Sequence, residues 1–321
     1  MTPARDTPDE LSPRLRAWRD RGDTFTTHDG HRLFYRDESP PAPADGASDA
    51  PPLLLLHAYP TASWGYHKVW PRLAERFRLV TLDLLGSGFS DKPTGHPYDI
   101  ASLADHVEAL LDRLGIDEPH LLAHAYGVTT AQELLARDLE RRDSNRDGLR
   151  FASACFVNGG LFPEGTRPTK MQKLLLSPIG PLIARYAPQP YRVFERKLGR
   201  NFGPAHPPTD QEMQELWQLL RYRNGHRLVP KTLNYLRERV AKRERWVGPL
   251  QRDAMPMGLI NGAADPVSGT HIPEIWQRLV PHGQLIELDP GVGHYPPLEA
   301  PDAVVDAYLH FFHRRAAAAV A

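Results

Sequence analysis

The chain is predicted to be an α/β protein, a doubly wound, mostly parallel sheet carrying an inserted helical cap. Three observations predict it. Strand-like and helix-like segments alternate from residue 52 to residue 158, the signature of βαβ units. The first of those strands, "PLLLLHAY", is apolar throughout, as a strand covered on both faces must be. The alternation lapses from about Gly159 to Arg245, where only helical patterns occur, and resumes at "PMGLINGAADP".

Taken in order, "DTFTTHDGHRLFYRDE" places Asp29-Gly30 between two β-prone runs and predicts a hairpin. "SPPAPADGASDAPP" is too rich in Pro, Ala, Asp and Gly to be an element and reads as a long exposed loop. After the strand at 52–59 come a helix ("SWGYHKVWPRLAERF"), a strand ("RLVTLDL"), a helix ("IASLADHVEALLDRLG") and the strand "HLLAHA". The helix "VTTAQELLARDLERR" and the strand "RFASACFVN" complete the first half. "KMQKLLLSPIGPLIARY", "TDQEMQELWQLLRY" and "VPKTLNYLRERVAKRERW" are three helices with no strand between them. The first of these either lines a pocket or packs on the core. "PMGLINGAADP", "IPEIWQRLVP", "GQLIELDP" and "PDAVVDAYLHFFHRR" then give strand, helix, strand, helix.

Composition excludes several classes. The 321 residues carry 39 Lys+Arg and 39 Asp+Glu, so no net field favours nucleic acid or an anionic membrane as partner. The 41% hydrophobic content is that of a globular protein. Cys155, the one cysteine, lies inside the apolar run "FASACFV" and reads as a buried structural thiol. The N-terminal stretch has no apolar core of signal-peptide length, and "LLLL" is far too short to span a bilayer. A cytoplasmic protein is the expectation. No cofactor is implied, because no phosphate-binding glycine loop follows a strand and histidine and acidic residues do not cluster at metal-ligand spacing.

Four stretches follow predicted strands, where open α/β sheets place ligand sites. "AHAYG" has the small-x-Nu-x-small form of a nucleophile elbow, with Ala123 and Gly127 as the small pair and Ala125 at the nucleophile. Asp265, in "GLINGAADPVSG", is placed to orient a histidine or to cap a turn. His294 stands on the glycine-flanked loop "PGVGHYPPLEAP". The peptide N–H of Tyr59, in "LLLLHAYPTASW", is placed to join that of Tyr126 against a developing negative charge. Elbow, acid and histidine occur in the chain order of hydrolases built on this sheet, with the helical insertion between elbow and acid.

"LLHAYPTASW", "LDLLGSGFSDKP", "NGGLFPEGTRP", "RERWVGPL" and "GHYPPLEAP" resemble the corresponding stretches of α/β-hydrolases in the branch that holds epoxide hydrolases and haloalkane dehalogenases, in particular the mesoderm-specific transcript-like group. The resemblance runs from about Phe25 to Phe312. It implies the α/β-hydrolase fold, with a mostly parallel eight-stranded sheet in a core of residues 1–158 and 246–321 and a helical cap over 159–245. It also implies an aspartate nucleophile where this chain has Ala125, and a glycine where it has Ala58. In the implied reaction that aspartate attacks a saturated carbon and forms an alkyl ester, which water activated by His294 and Asp265 then cleaves. A methyl group can do neither, and loss of such a nucleophile lowers the rate about a million-fold. Retention of Asp265, His294 and the cap favours an inactivated, substrate-trapping form over a decayed enzyme.

The expected substrate is a small apolar organic molecule, and epoxide hydrolysis is the leading reaction. Halide release calls for side-chain N–H donors where this chain has Tyr59 and Tyr126, whereas an opening epoxide needs phenols from the cap, which contains Tyr186, Tyr191, Tyr222 and Tyr235. Haloalkane dehalogenation, a serine-type esterase with a mutated nucleophile, and a catalytically silent small-molecule sensor are the alternatives.

Overall fold

The computed structural model describes residues 11–41, 50–165, 170–186 and 190–318. The centre of the loop expected at 39–52 lies outside them. Eight strands form one sheet: β1 (Asp23–Thr26), β2 (Arg32–Glu38), β3 (Pro52–Leu56), β4 (Arg78–Leu82), β5 (His120–His124), β6 (Ser153–Val157), β7 (Met257–Asn261) and β8 (Gln284–Glu287). Their spatial order is β1-β2-β4-β3-β5-β6-β7-β8. Only β2 runs against its neighbours; β4 through β8 are parallel. The expected hairpin turns at Gly30, whose φ of 84° suits a residue without Cβ.

The helices are α1 (Pro13–Asp20), α2 (Trp70–Ala74), α3 (Ile100–Arg113), α4 (Tyr126–Asp143), α5 (Lys170–Leu175), α6 (Gly180–Tyr186), α7 (Tyr191–Gly199), α8 (Asp210–Arg221), α9 (Val229–Thr232), α10 (Tyr235–Ala241), α11 (Arg243–Val247), α12 (His271–Leu279), α13 (Pro296–Glu299) and α14 (Pro301–Ala318). Between β6 and β7 the described residues hold helices and no strand. The limit drawn at 245 falls inside α11, which packs back on the sheet-flanking α4: Trp246 Nε1–H donates to Glu133 at 2.7 Å and Arg245 bridges Glu133 and Glu140.

Strand period two divides the core cleanly. Leu54 and Leu56 point to one face with Leu121 and Ala123, beneath residues of α3, α4 and α12. Leu53 and Leu55 point to the other with Leu122, Cys155 and Val157, beneath α2 and α14. Each such leucine, fully buried, contributes roughly 1.5–3 kcal/mol of transfer free energy. Burial pushes the Cys155 thiol pKa well up, as suits a structural thiol.

Three expected helices are broken. The one at 63–77 becomes a 3-10 turn at Ser63–Tyr66 and then α2, because Pro71 supplies no N–H for a continuing ladder and sits comfortably only in a first turn. The one at 170–186 splits around Ser177-Pro178 into α5 and α6 for the same reason. The one at 229–246 splits into α9, α10 and α11, the last turning onto α4. Leu182, Ile179 and Tyr186 of the α5–α6 region are exposed, so this segment neither buries them in the core nor aims them at a pocket. Helices α1 and α7 are not among the expected elements; α1 does carry the Ser12 N-cap and Pro13 start signal, whereas α7 has no capping side chain. No helix among the described residues is long and apolar enough to cross a membrane.

The "LDLLGSGFSDKP" stretch is a turn locked by Asp83. Its carboxylate accepts the Ser63 N–H at 2.7 Å and the Phe89 N–H at 2.7 Å, and Lys92 Nζ closes the loop on the Gly88 and Ser90 carbonyls at 2.7 and 2.9 Å. Replacing Asp83 by Ala strands two buried donors. We expect a loss of roughly 2–4 kcal/mol of stability by urea titration, with a wild-type midpoint counting against this account.

Candidate active site

The carboxyl ends of β3, β5, β6, β7 and β8 lie side by side and each delivers one part of the site. Between β5 and α4, Ala125 takes φ 49° and ψ −98°, a left-handed turn that strains an L-residue by roughly 1–2 kcal/mol. Neighbouring backbone holds it there. Ala125 N–H donates to Val157 O at 3.3 Å, and Gly127 N–H donates to His57 O at 3.0 Å. Gly127 has to lack a side chain, since a Cβ would run into the Leu56 carbonyl. The turn is therefore the elbow expected from "AHAYG", with a methyl at its tip.

Asp265 and His294 are brought together. His294 Nδ1 lies 2.8 Å from Asp265 Oδ2, and both side chains are buried. The carboxylate also accepts the Val267 N–H at 2.7 Å, Asn158 Nδ2–H at 2.8 Å and the Ser268 hydroxyl. Burial works against the Asp265 charge, but His294 and these donors outweigh it and hold its pKa at about 2. Burial likewise opposes the imidazolium of His294, and Asp265 more than offsets it, so the His294 pKa is raised. The elbow is joined to this dyad through His124, the residue before Ala125, whose Nε2–H donates to His294 O at 2.8 Å. Burial holds the His124 pKa down at about 3, so its ring stays neutral.

Tyr59 and Tyr126 also meet, their rings edge to face with centroids 6.4 Å apart. Tyr295 Oη–H fixes the Tyr59 carbonyl at 3.0 Å. Ala58 is fully buried, and its carbonyl accepts His57 Nδ1–H at 2.7 Å and the Thr61 hydroxyl at 3.0 Å. Of the four tyrosines of the helical insertion named above, Tyr235 reaches this region, its ring 5.1 Å from that of Tyr126. Tyr186 is 68% exposed, Tyr191 packs on Trp217, and Tyr222 packs on Phe89.

Sequence reasoning missed the supporting residues. Asn158, directly after β6, donates to Asp265 and to Gly293 O (2.9 Å) while accepting the Gly262 N–H at 2.8 Å, so one side chain stitches three loops. Glu299 accepts the Gly293, Tyr295 and Gly203 N–H groups at 2.6, 2.7 and 2.8 Å, and Asn201 O accepts His294 N–H at 2.7 Å. The histidine loop is thus bonded to residues 201–203 of the helical insertion. An Asn after a buried strand and a Glu five residues past the histidine were the available signals.

The expectation that histidine and acidic residues do not cluster is corrected. Asp29, His31 and His96 place ligand-type atoms within 4.8 Å of one another, and His106 Nε2 lies 3.2 Å from Asp29 Oδ2. They come from the hairpin turn, a loop and α3, so spacing along the chain conceals them. His96 Nδ1 accepts the Tyr98 N–H at 3.0 Å, which leaves the proton on Nε2, facing the carboxylate. Asp29 is hydrogen-bonded to His106, while His31 and His96 stand 3.8 and 3.9 Å from its carboxylate.

The dyad makes a signed prediction. The raised His294 pKa adds stability that is fully present below about 6.5 and lost as pH rises through the folded value. The Asp265 contribution is present above about 3.9 and lost only as pH falls towards about 2. With Asp265→Asn, burial acts on the imidazole against only the weaker attraction of Glu299. Histidine NMR titration is then expected to show His294 titrating below 6.5, and an unchanged value would remove Asp265 as the cause.

With this geometry in view, the likenesses to known proteins fall into place. The model of the α/β hydrolase fold family matches residues 51–301. The mesoderm-specific transcript protein of Mus musculus is 37% identical over 313 residues, 95% of this chain and 90% of that protein. The putative hydrolase LipZ of Mycobacterium tuberculosis (strain CDC 1551 / Oshkosh) is 38% identical over 298 residues, 93% of this chain and 98% of that one. Among solved structures, haloalkane dehalogenase DbeA from Bradyrhizobium elkani USDA94 superposes with a TM-score of 0.73 at 21% identity, covering 92% of this chain and 99% of that one, a likeness of fold. The eight-stranded sheet, the elbow turn and these likenesses have one conclusion: the chain belongs to the α/β-hydrolase fold family.

Proposed function

We propose that this chain is a hydrolase lacking its nucleophile, and that the form with aspartate at position 125 opens small, largely apolar epoxides. The observation that carries this reading is the left-handed turn at Ala125, tied through His124 to an ion-paired His294–Asp265 dyad. A methyl group has no use for such a turn, whereas a carboxylate there projects from the elbow as a nucleophile must. In this reading the 159–245 segment is the cap over a core of 1–158 and 246–321.

The residues divide the work as follows. A carboxylate oxygen at 125 attacks an epoxide carbon, the C–O bond breaks, and an alkyl ester forms. Tyr235, packed on Tyr126, donates the proton to the departing oxygen. His294, oriented by Asp265, takes a proton from water as the water oxygen adds to the ester carbonyl. The acyl C–O bond then breaks, the departing alkoxide takes the proton back from His294 to leave as the diol, and the acid left at 125 returns its proton to the Tyr235 phenolate. The N–H groups of Tyr59 and Tyr126 face the oxyanion of that second step; Tyr126 is in the first turn of α4, where amides have no intrahelical partner. Burial raises the pKa of the Tyr59, Tyr126 and Tyr235 phenols, which keeps them protonated as donors. Phenols at 59 and 126, in place of indole or amide N–H groups, favour epoxide over halide.

The test is Ala125→Asp assayed on a panel of small epoxides. Diol formation is expected, with kcat rising with pH through a midpoint above 6.5, because His294 acts as a base only when neutral and its pKa is raised. Adding His294→Gln is expected to stop the second half-reaction and leave protein heavier by one epoxide in intact-mass spectra. No diol and no mass increase across the panel would overturn the reading.

A further inference from the structure

Arg239 is a buried cation with no counter-charge. It lies in α10 and is 3% exposed. Its Nη2–H donates to Thr129 Oγ1 at 2.5 Å, its Cζ is 5.0 Å from the Tyr235 ring centroid, and its Nε has no partner. No carboxylate among the described residues forms an ion pair with it. The acidic side chains next in sequence to Arg239 and to its partner Thr129 are engaged elsewhere: Glu238 with Ile100 N–H and Lys242, Glu133 with Arg137, Arg245 and Trp246. Residues 166–169 and 187–189 of the insertion contain no Asp or Glu.

A guanidinium out of water without an anion is unfavourable by several kcal/mol, and one hydroxyl and one ring face do not offset that. The location gives the reason. Tyr235 and Arg239 are i and i+4 on α10, and Tyr126 and Thr129 are i and i+3 on α4, so the two helices face each other through these pairs. Arg239 therefore meets α4 about one helical turn, ~4.5 Å along its axis, beyond the residue that follows position 125. The Tyr59 and Tyr126 hydroxyls, in the same region, are buried without partners as well. This end of the site is lined with donors that have no acceptor.

We propose that Arg239 is the anion receptor of the site and that the substrate is an aliphatic chain ending in a carboxylate, held with its reactive carbon at position 125. The planar guanidinium fork suits a carboxylate. The inference rests on position 125 being the reacting centre and narrows the substrate class from apolar to apolar with one anionic end.

The test needs no turnover and uses the chain with Ala125. Hexanoate and its neutral amide, hexanamide, are titrated by calorimetry at pH 7. Hexanoate is expected to bind at least about tenfold more tightly, the equivalent of one charge-assisted hydrogen bond in a dry site, and Arg239→Gln is expected to abolish the difference. Equal affinities, no saturable hexanoate binding, or a preference that survives in Arg239→Gln would overturn it. The first comparison needs no variant, so misfolding of Arg239→Gln leaves the test intact. Epoxide turnover by Ala125→Asp with no carboxylate preference sinks this inference alone. A carboxylate preference without turnover overturns the hydrolase reading and with it the placing of a reactive carbon at 125, leaving only Arg239 as a carboxylate receptor.

Discussion

A single constrained backbone, the left-handed turn at Ala125, organises the carboxyl edge of the sheet. An L-residue enters that region only when its surroundings compel it. Here the carbonyls of β6 and of the β3 loop accept the two amides that bracket the turn, and Gly127 lets the strand–helix junction close on Leu56. Three adjacent parallel strands are needed to supply those partners. The expense of the turn is the same for a methyl as for a larger side chain.

The histidine arm is built on a different principle, saturation of a buried charge. Asp265 accepts from a backbone amide, an asparagine, a serine and His294, so its ionised form is fully satisfied in the absence of water. That fixes the imidazole tautomer, with Nδ1 towards the carboxylate and Nε2 left for chemistry. Glu299 and Asn201 then bond the same loop to the helical insertion. Residues 201–203 are thus tied to the His294 loop by the Asn201 O–His294 N–H bond and by Gly203 N–H on Glu299. Arg239 presents the opposite case, a buried charge whose Nε has no partner and which no carboxylate among the described residues pairs.

Much of the fold was legible in the chain. The all-apolar strand at 52–56, the Asp29-Gly30 hairpin and the resumption of alternation at 257 gave the sheet and the position of its insertion, since strand period and turn chemistry are local properties. Helix continuity was less legible. Pro71 and Pro178 break helices whose apolar spacing runs on through them, and the bend at Lys242 is driven by Trp246 and Arg245 finding Glu133, a contact more than a hundred residues away in sequence. Helix α7 lacks a capping side chain, which is why it left no boundary signal.

The sequence by itself determined the order of elbow, acid and histidine, and the methyl at the elbow's tip, because each sits at the end of an element that folds by local rules. Only the tertiary structure decided which tyrosine faces Tyr126, that Asn158 and Glu299 hold the dyad, that three histidines surround Asp29, and that Arg239 is left without an anion. Those are facts of partner choice. Hydrogen bonds and ion pairs act over a few ångströms through space, and no spacing along the chain records which distant groups the packing brings within that range.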